Sequence, residues 1–131
     1  MMSDVFRRAI RESMYALYLT NKNELIGRYC LGTGTLSECP VHCRDILQGA
    51  ILSNAAAFIL VHNHPSGVLT PSKDDIRVTE QVVNAAAIMG IKMLDHVIVS
   101  DTEYLSMREQ GHIKQASLED AIRYAAEHFS V

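Results

Sequence analysis

What most constrains the folding of this chain is an apolar run, Ala55-Ala56-Ala57-Phe58-Ile59-Leu60-Val61, that leads directly into His62-Asn63-His64-Pro65-Ser66-Gly67. Seven apolar residues bounded by turn formers have the length and flanking of a buried strand. If that strand extends through His64, side chains alternate, so His62 and His64 share a face and Asn63 takes the other. Pro65, Gly67 and Pro71 break regular structure, and Ser72 opens a helical pattern with Asp75 in its first turn. The chain therefore turns back, and the carboxylate of Asp75 can approach both imidazoles.

Two histidines and one aspartate are ligand types that zinc accepts, and three protein ligands leave the fourth tetrahedral position for water, as catalytic sites do. A plainer reading stands beside this one. Ser72-Lys73-Asp74-Asp75 has the S-x-x-D form of a helix start, in which Ser72 caps the helix and Asp75 favours its N-terminus. Capping alone, however, gives no reason for two histidines at spacing i, i+2.

The order His-x-His, seven residues, Ser-x-x-Asp runs without a gap from His62 to Asp75 and resembles the JAMM motif of JAB/MPN metalloproteases. Together with Leu94-Asp95-His96, the stretch is similar to the RadC branch, which carries a historical DNA repair label; the resemblance covers about residues 12–113. It implies an α/β fold of JAB/MPN type, related to the cytidine deaminase scaffold, with a mixed β-sheet flanked by α-helices. It also implies one Zn2+ per chain held by His62, His64 and Asp75. In the JAMM pattern a glutamate stands at the entrance of the first strand, and Glu12 occupies that place. By this similarity Glu12 is the base that takes a proton from water and passes it to the leaving amine, a need that a metal alone does not meet. Ser72 would stabilise the oxyanion, worth up to about 3 kcal/mol for a well-placed donor. Glu24, in a turn at the far end of the strand, is a poorer candidate base.

The resemblance further implies hydrolysis of a peptide or isopeptide bond, with a peptide or protein substrate such as a ubiquitin-like conjugate, and leaves room for a homo-oligomer. A competing expectation is a non-catalytic JAB/MPN binding module associated with DNA repair or nucleoprotein complexes. Nucleotide deamination would need H-x-E and a later P-C-x-x-C, and neither occurs. Longer RadC proteins carry an N-terminal region of helix-hairpin-helix character that these residues lack, so nothing attributed to that region transfers.

A chain of 131 residues suits one domain, residues 1–131, and can bury roughly two thirds of its unfolded surface. The net charge of −3 gives no broad basic footprint for non-specific nucleic-acid binding. Cys30, Cys39 and Cys43 form neither a paired framework nor a C-x-x-C, which points to a reducing cytosol. No apolar run spans a bilayer and residues 1–13 lack a signal-peptide core, so the expectation is a soluble, cytoplasmic protein.

In chain order, residues 4–11 read as a short amphipathic helix, residues 14–20 as a strand, Asn21-Lys22-Asn23-Glu24 as a hairpin turn and residues 25–31 as the returning strand. Gly32-Thr33-Gly34-Thr35 loosens the backbone as a bulge or bend. Residues 37–45 read as a loop, in which Cys43 replaces the branch's usual proline and His42 braces the surface, and a helix follows over 46–52. The next helix spans about 73–89, with a core stripe of Ile76, Val82, Val83, Ala86 and Met89 and a stop at Gly90. Residues 91–100 form a strand in which Asp95 and His96 point to opposite faces; the resemblance implies a shared structural or supporting role for this pair rather than a primary ligand. Residues 102–111 read as a loop with a helical turn, and a last helix runs over about 117–129 from its own S-x-x-D start.

Overall fold

The computed structural model describes residues 12–33, 42–64 and 67–128. The helix expected over 4–11, most of the 37–45 loop, and Pro65 and Ser66 lie outside the described residues. The strands are β1 (Ser13–Leu19), β2 (Leu25–Thr33), β3 (Ala57–Asn63), β4 (Lys92–Val99) and β5 (Tyr104–Ser106). The described helices are α1 (Cys43–Leu52), α2 (Lys73–Ile88) and α3 (Leu118–His128). The strands form one sheet in the order β2-β1-β3-β4-β5. All neighbours run antiparallel except β3 and β4, which are parallel and joined through α2, as a parallel pair requires a crossover. The fold is thus α/β with a mixed sheet, as expected.

Residue alternation sends Met14, Ala16 and Tyr18 of β1 and Phe58 and Leu60 of β3 to one face, where Ile46 and Ala50 of α1 and Val78, Val82, Val83 and Ala86 of α2 cover them. Phe58 and Leu60 are fully buried there, each worth roughly 1.5–3 kcal/mol by removal from water. The buried Tyr18 hydroxyl donates to the carbonyl of Ile46 at 2.7 Å and pins α1 to β1; burial pushes its pKa up to about 12. The opposite face carries a smaller cluster of Val61 and Val99 with half-buried neighbours.

Four expectations need correction. First, β3 ends at Asn63 rather than His64, whose N–H donates instead to the Val99 carbonyl at 2.9 Å. Second, α1 starts at Cys43, not at 46. Its cap residue, His42, makes no side-chain capping bond, so the sequence carries no start signal. Cys43 occupies the first helical position, where proline is also accommodated, so the helix starts there without a proline. Third, residues 104–106 form the strand β5, too short to show an alternating pattern. Fourth, Ile76 and Met89 are 37% and 51% exposed, while Asp75 and Thr79 join the valines on the buried face of α2. The stripe is rotated because its N-terminal part is polar.

The remaining elements stand close to where the sequence puts them. The Asn21–Glu24 turn closes through Asn23 at φ 63°, and the β1–β2 register shifts between Met14 and Tyr15, near the expected bulge. Gly90, at φ +73°, follows the C-terminal end of α2. Ser117 accepts from the Asp120 N–H at the start of α3.

Candidate metal centre

The site forms at the carboxyl end of β3, where that strand's core-facing side meets the first turn of α2. On β3, His62 follows Phe58 and Leu60 in alternation and is 3% exposed. In the sheet register it lies opposite Met14 of β1 and Ile98 of β4. His64 comes just beyond the strand on the same side; its ring lies 4.5 Å from that of His62, edge-on at 77°. Its Nδ1 donates to the Val68 carbonyl at 2.7 Å, which orients the ring with Nε2 toward Asp75.

Asp75 is completely buried and has two jobs. Oδ2 accepts from the Ser72 N–H at 2.8 Å while Ser72 Oγ accepts from the Asp75 N–H at 3.0 Å, a reciprocal capping box. Oδ1 accepts from His62 Nδ1 at 2.9 Å, and Oδ2 lies 3.6 Å from His64 Nε2. One carboxylate therefore both caps the helix and approaches the two histidines. Burial alone would raise its pKa, but the hydrogen bonds from His62 and the Ser72 N–H hold it well below the usual carboxylate range.

Glu12, fifty residues upstream of His62 in the chain, places Oε2 3.2 Å from His62 Nε2. The His62 ring thus stands between two carboxylates, those of Asp75 and Glu12. With 27% of its side chain exposed, Glu12 is the member of this group that reaches solvent. Ser72, itself exposed, sits one capping bond away from Asp75.

His96 was expected only to support the site, yet the fold carries it into the same cluster. It lies on β4 opposite Leu60, fully buried, with its ring 6.0 Å from that of His62. Burial and then the neighbouring His62 push its pKa down to about 3, so the ring is neutral. Asp95 indeed turns the other way, accepting from the N–H groups of His96 and Arg108 and from the Ser106 hydroxyl. The alternation along β4 was readable from sequence; that the face of His96 is the site's face follows only from the β3–β4 register.

Two sets of donors have their ligand atoms within 4.8 Å of one another: Glu12, His62 and His64, and His62, Asp75 and His96. His62 belongs to both. The expected trio of His62, His64 and Asp75 is joined through the contacts that both histidines make with Asp75. Imidazole nitrogens and carboxylate oxygens are the donors that zinc and its first-row neighbours take, and this set fits such an ion. His42, by contrast, is exposed at the cap of α1, and burial pushes the Cys43 thiol up to about 11, away from the thiolate form that binds metals. No helix among the described residues is long and apolar enough to cross a membrane.

Compared with known proteins, residues 1–112 match the model of the RadC-like JAB domain family. A UPF0758 protein of Latilactobacillus sakei is 46% identical over 103 residues, covering 79% of this chain and 46% of that protein. One from Methanococcoides burtonii is 43% identical over 107 residues, covering 82% and 47% respectively. One from Bacillus cereus is 41% identical over 112 residues, covering 86% and 50%. The chain spans about half the length of these curated relatives.

Proposed function

This chain belongs to the RadC-like JAB domain family, and from that premise we propose that it is a zinc-dependent hydrolase of peptide or isopeptide bonds. The observation that carries the reading is the approach of Glu12 to His62, at 3.2 Å, beside His64. A carboxylate with access to solvent and next to buried imidazoles is what hydrolysis needs and what a structural metal site does not.

In this reading His62, His64 and Asp75 hold the zinc. Zinc, when bound, lowers the pKa of a water toward about 7 and polarises a carbonyl. Glu12 accepts the proton of the attacking water and returns it to the departing amine, so its carboxylate ends the cycle as it began. Ser72, whose oxygen is engaged by the Asp75 N–H, keeps its own hydrogen free to donate to the carbonyl oxygen as negative charge develops there. The low pKa of Asp75 keeps it ionised and ready to ligate at neutral pH. His62, His64 and Asp75 are buried, while Glu12 and Ser72 reach solvent.

The substrate class is a peptide or a protein conjugate joined through a lysine amine, met in the cytoplasm. The test is elemental analysis of protein dialysed against trace zinc, wild type beside His62→Ala and Asp75→Ala, followed by a peptide and isopeptide panel with Glu12→Gln as control. Near-stoichiometric zinc in wild type alone, with turnover that Glu12→Gln abolishes, is the expected result. A folded wild type that takes up no zinc overturns the proposal.

A further inference from the structure

Nε2 of His96 is buried and has no hydrogen-bond partner. Leaving a polar atom dry and unpaired costs roughly 1–3 kcal/mol, so such an atom calls for an explanation. The chain of contacts on the other side of the ring identifies what is unpaired. His96 Nδ1 lies 2.7 Å from Thr79 Oγ1, and that hydroxyl directs its hydrogen to Met107 Sδ at 3.7 Å. Nδ1 is thus engaged by Thr79, and a neutral ring that donates from Nδ1 presents a lone pair at Nε2.

His96, His62 and Asp75 each offer a donor atom within 4.8 Å of the others, and with Nδ1 engaged by Thr79, Nε2 is the nitrogen His96 has left to give. A lone pair and a carboxylate with no hydrogen between them repel. A cation removes the repulsion. The other requirement of a histidine ligand is also met, because its second nitrogen is anchored by a hydrogen bond, here to Thr79.

We propose that His96 is a metal ligand of this centre, giving Nε2 to an ion seated against His62 and Asp75, with Thr79 as the residue that positions its ring. The inference rests on reading the site as a metal centre. It differs from the three-ligand set of His62, His64 and Asp75 by adding a donor at the inner, fully buried end of the site, so the water would come to the ion as a fifth donor, a number zinc can take. The ion there is shielded from solvent on the side away from Glu12.

The deciding experiment uses wild-type protein labelled with nitrogen-15 in its histidines and loaded with cadmium-113. The His96 signals are assigned by their disappearance in His96→Gln, or by ring-proton contacts to the Thr79 methyl group if that variant does not fold. We expect a one-bond nitrogen-cadmium splitting on His96 Nε2, and a zinc affinity at least about tenfold weaker in His96→Gln by chelator competition. An unsplit His96 Nε2 in protein whose His62 nitrogen is split overturns the inference and leaves the metal centre standing. Absence of any cadmium uptake by folded protein removes both.

Discussion

Asp75 receives the Nδ1 hydrogen of His62 at 2.9 Å on one carboxylate oxygen, while the other oxygen holds the N–H that begins α2. One fully buried side chain thus joins the end of β3 to the start of its crossover helix.

Removing it should therefore harm metal-free protein as well as metal uptake. Asp75→Ala strands the buried His62 Nδ1 and the Ser72 N–H, and should cost about 3 kcal/mol in urea unfolding. Asp75→Asn retains a carbonyl oxygen that can accept one of those bonds and should cost less, yet fail equally in zinc uptake. Equal destabilisation by both variants would show that charge, not hydrogen bonding, sets the contribution.

Glu12→Gln keeps the size and polarity of the side chain and removes the basic oxygen. Zinc content should be unchanged while the hydrolysis rate falls by about 10²–10⁴-fold, the usual share of a general base. Loss of zinc in this variant would make Glu12 a ligand instead, as its place in the set with His62 and His64 allows.

The pH dependence of metal-free protein follows from His96. Its folded pKa, about 3, lies below the ordinary 6.5, so the unfolded chain binds its proton first as pH falls. Its contribution is complete above 6.5 and is lost as pH falls toward 3, at up to about 1.4 kcal/mol per unit. Asp75, also depressed, adds its loss only below its ordinary value of 3.8. The urea midpoint of wild type should therefore drop between neutral pH and about pH 5 more than that of His96→Gln. Parallel declines would mean that another group is responsible.

Gly49 of α1 faces Tyr18 so closely that a Cβ there would stand 2.7 Å from Cζ and closer still to the hydroxyl. Gly49→Ala should push the ring off the Ile46 carbonyl and cost about 1–3 kcal/mol. Gly27, with nothing within 4 Å of such an atom, is the control: Gly27→Ala should leave the melting temperature unchanged or slightly raised.

The apolar run before His62, the breakers after it and the Ser-x-x-Asp start were enough to read β3, α2 and the approach of Asp75 to both histidines. Local pattern suffices there, because the apolar run, the breakers and the capping residues each mark their element within a few residues of sequence. It failed where the information is not local. The buried stripe of α2 was displaced because Asp75 and Thr79, polar in sequence, face inward toward the site, while apolar Ile76 and Met89 face out. Strand β5 is defined by pairing with β4 rather than by its three residues. That His96 shares the face of His62 follows from the β3–β4 register, which nothing in its own strand reveals.

The double engagement of Asp75 makes the centre a reporter on the fold. When the first turn of α2 frays, the carboxylate leaves with it, so an ion bound there would hold the turn shut by mass action, in proportion to the logarithm of its free concentration. Deuterium should therefore enter the amides of Asp75 and Ile76 more slowly as zinc is added, long before any change in the sheet. In that sense the beginning of one helix keeps the occupancy record of the site.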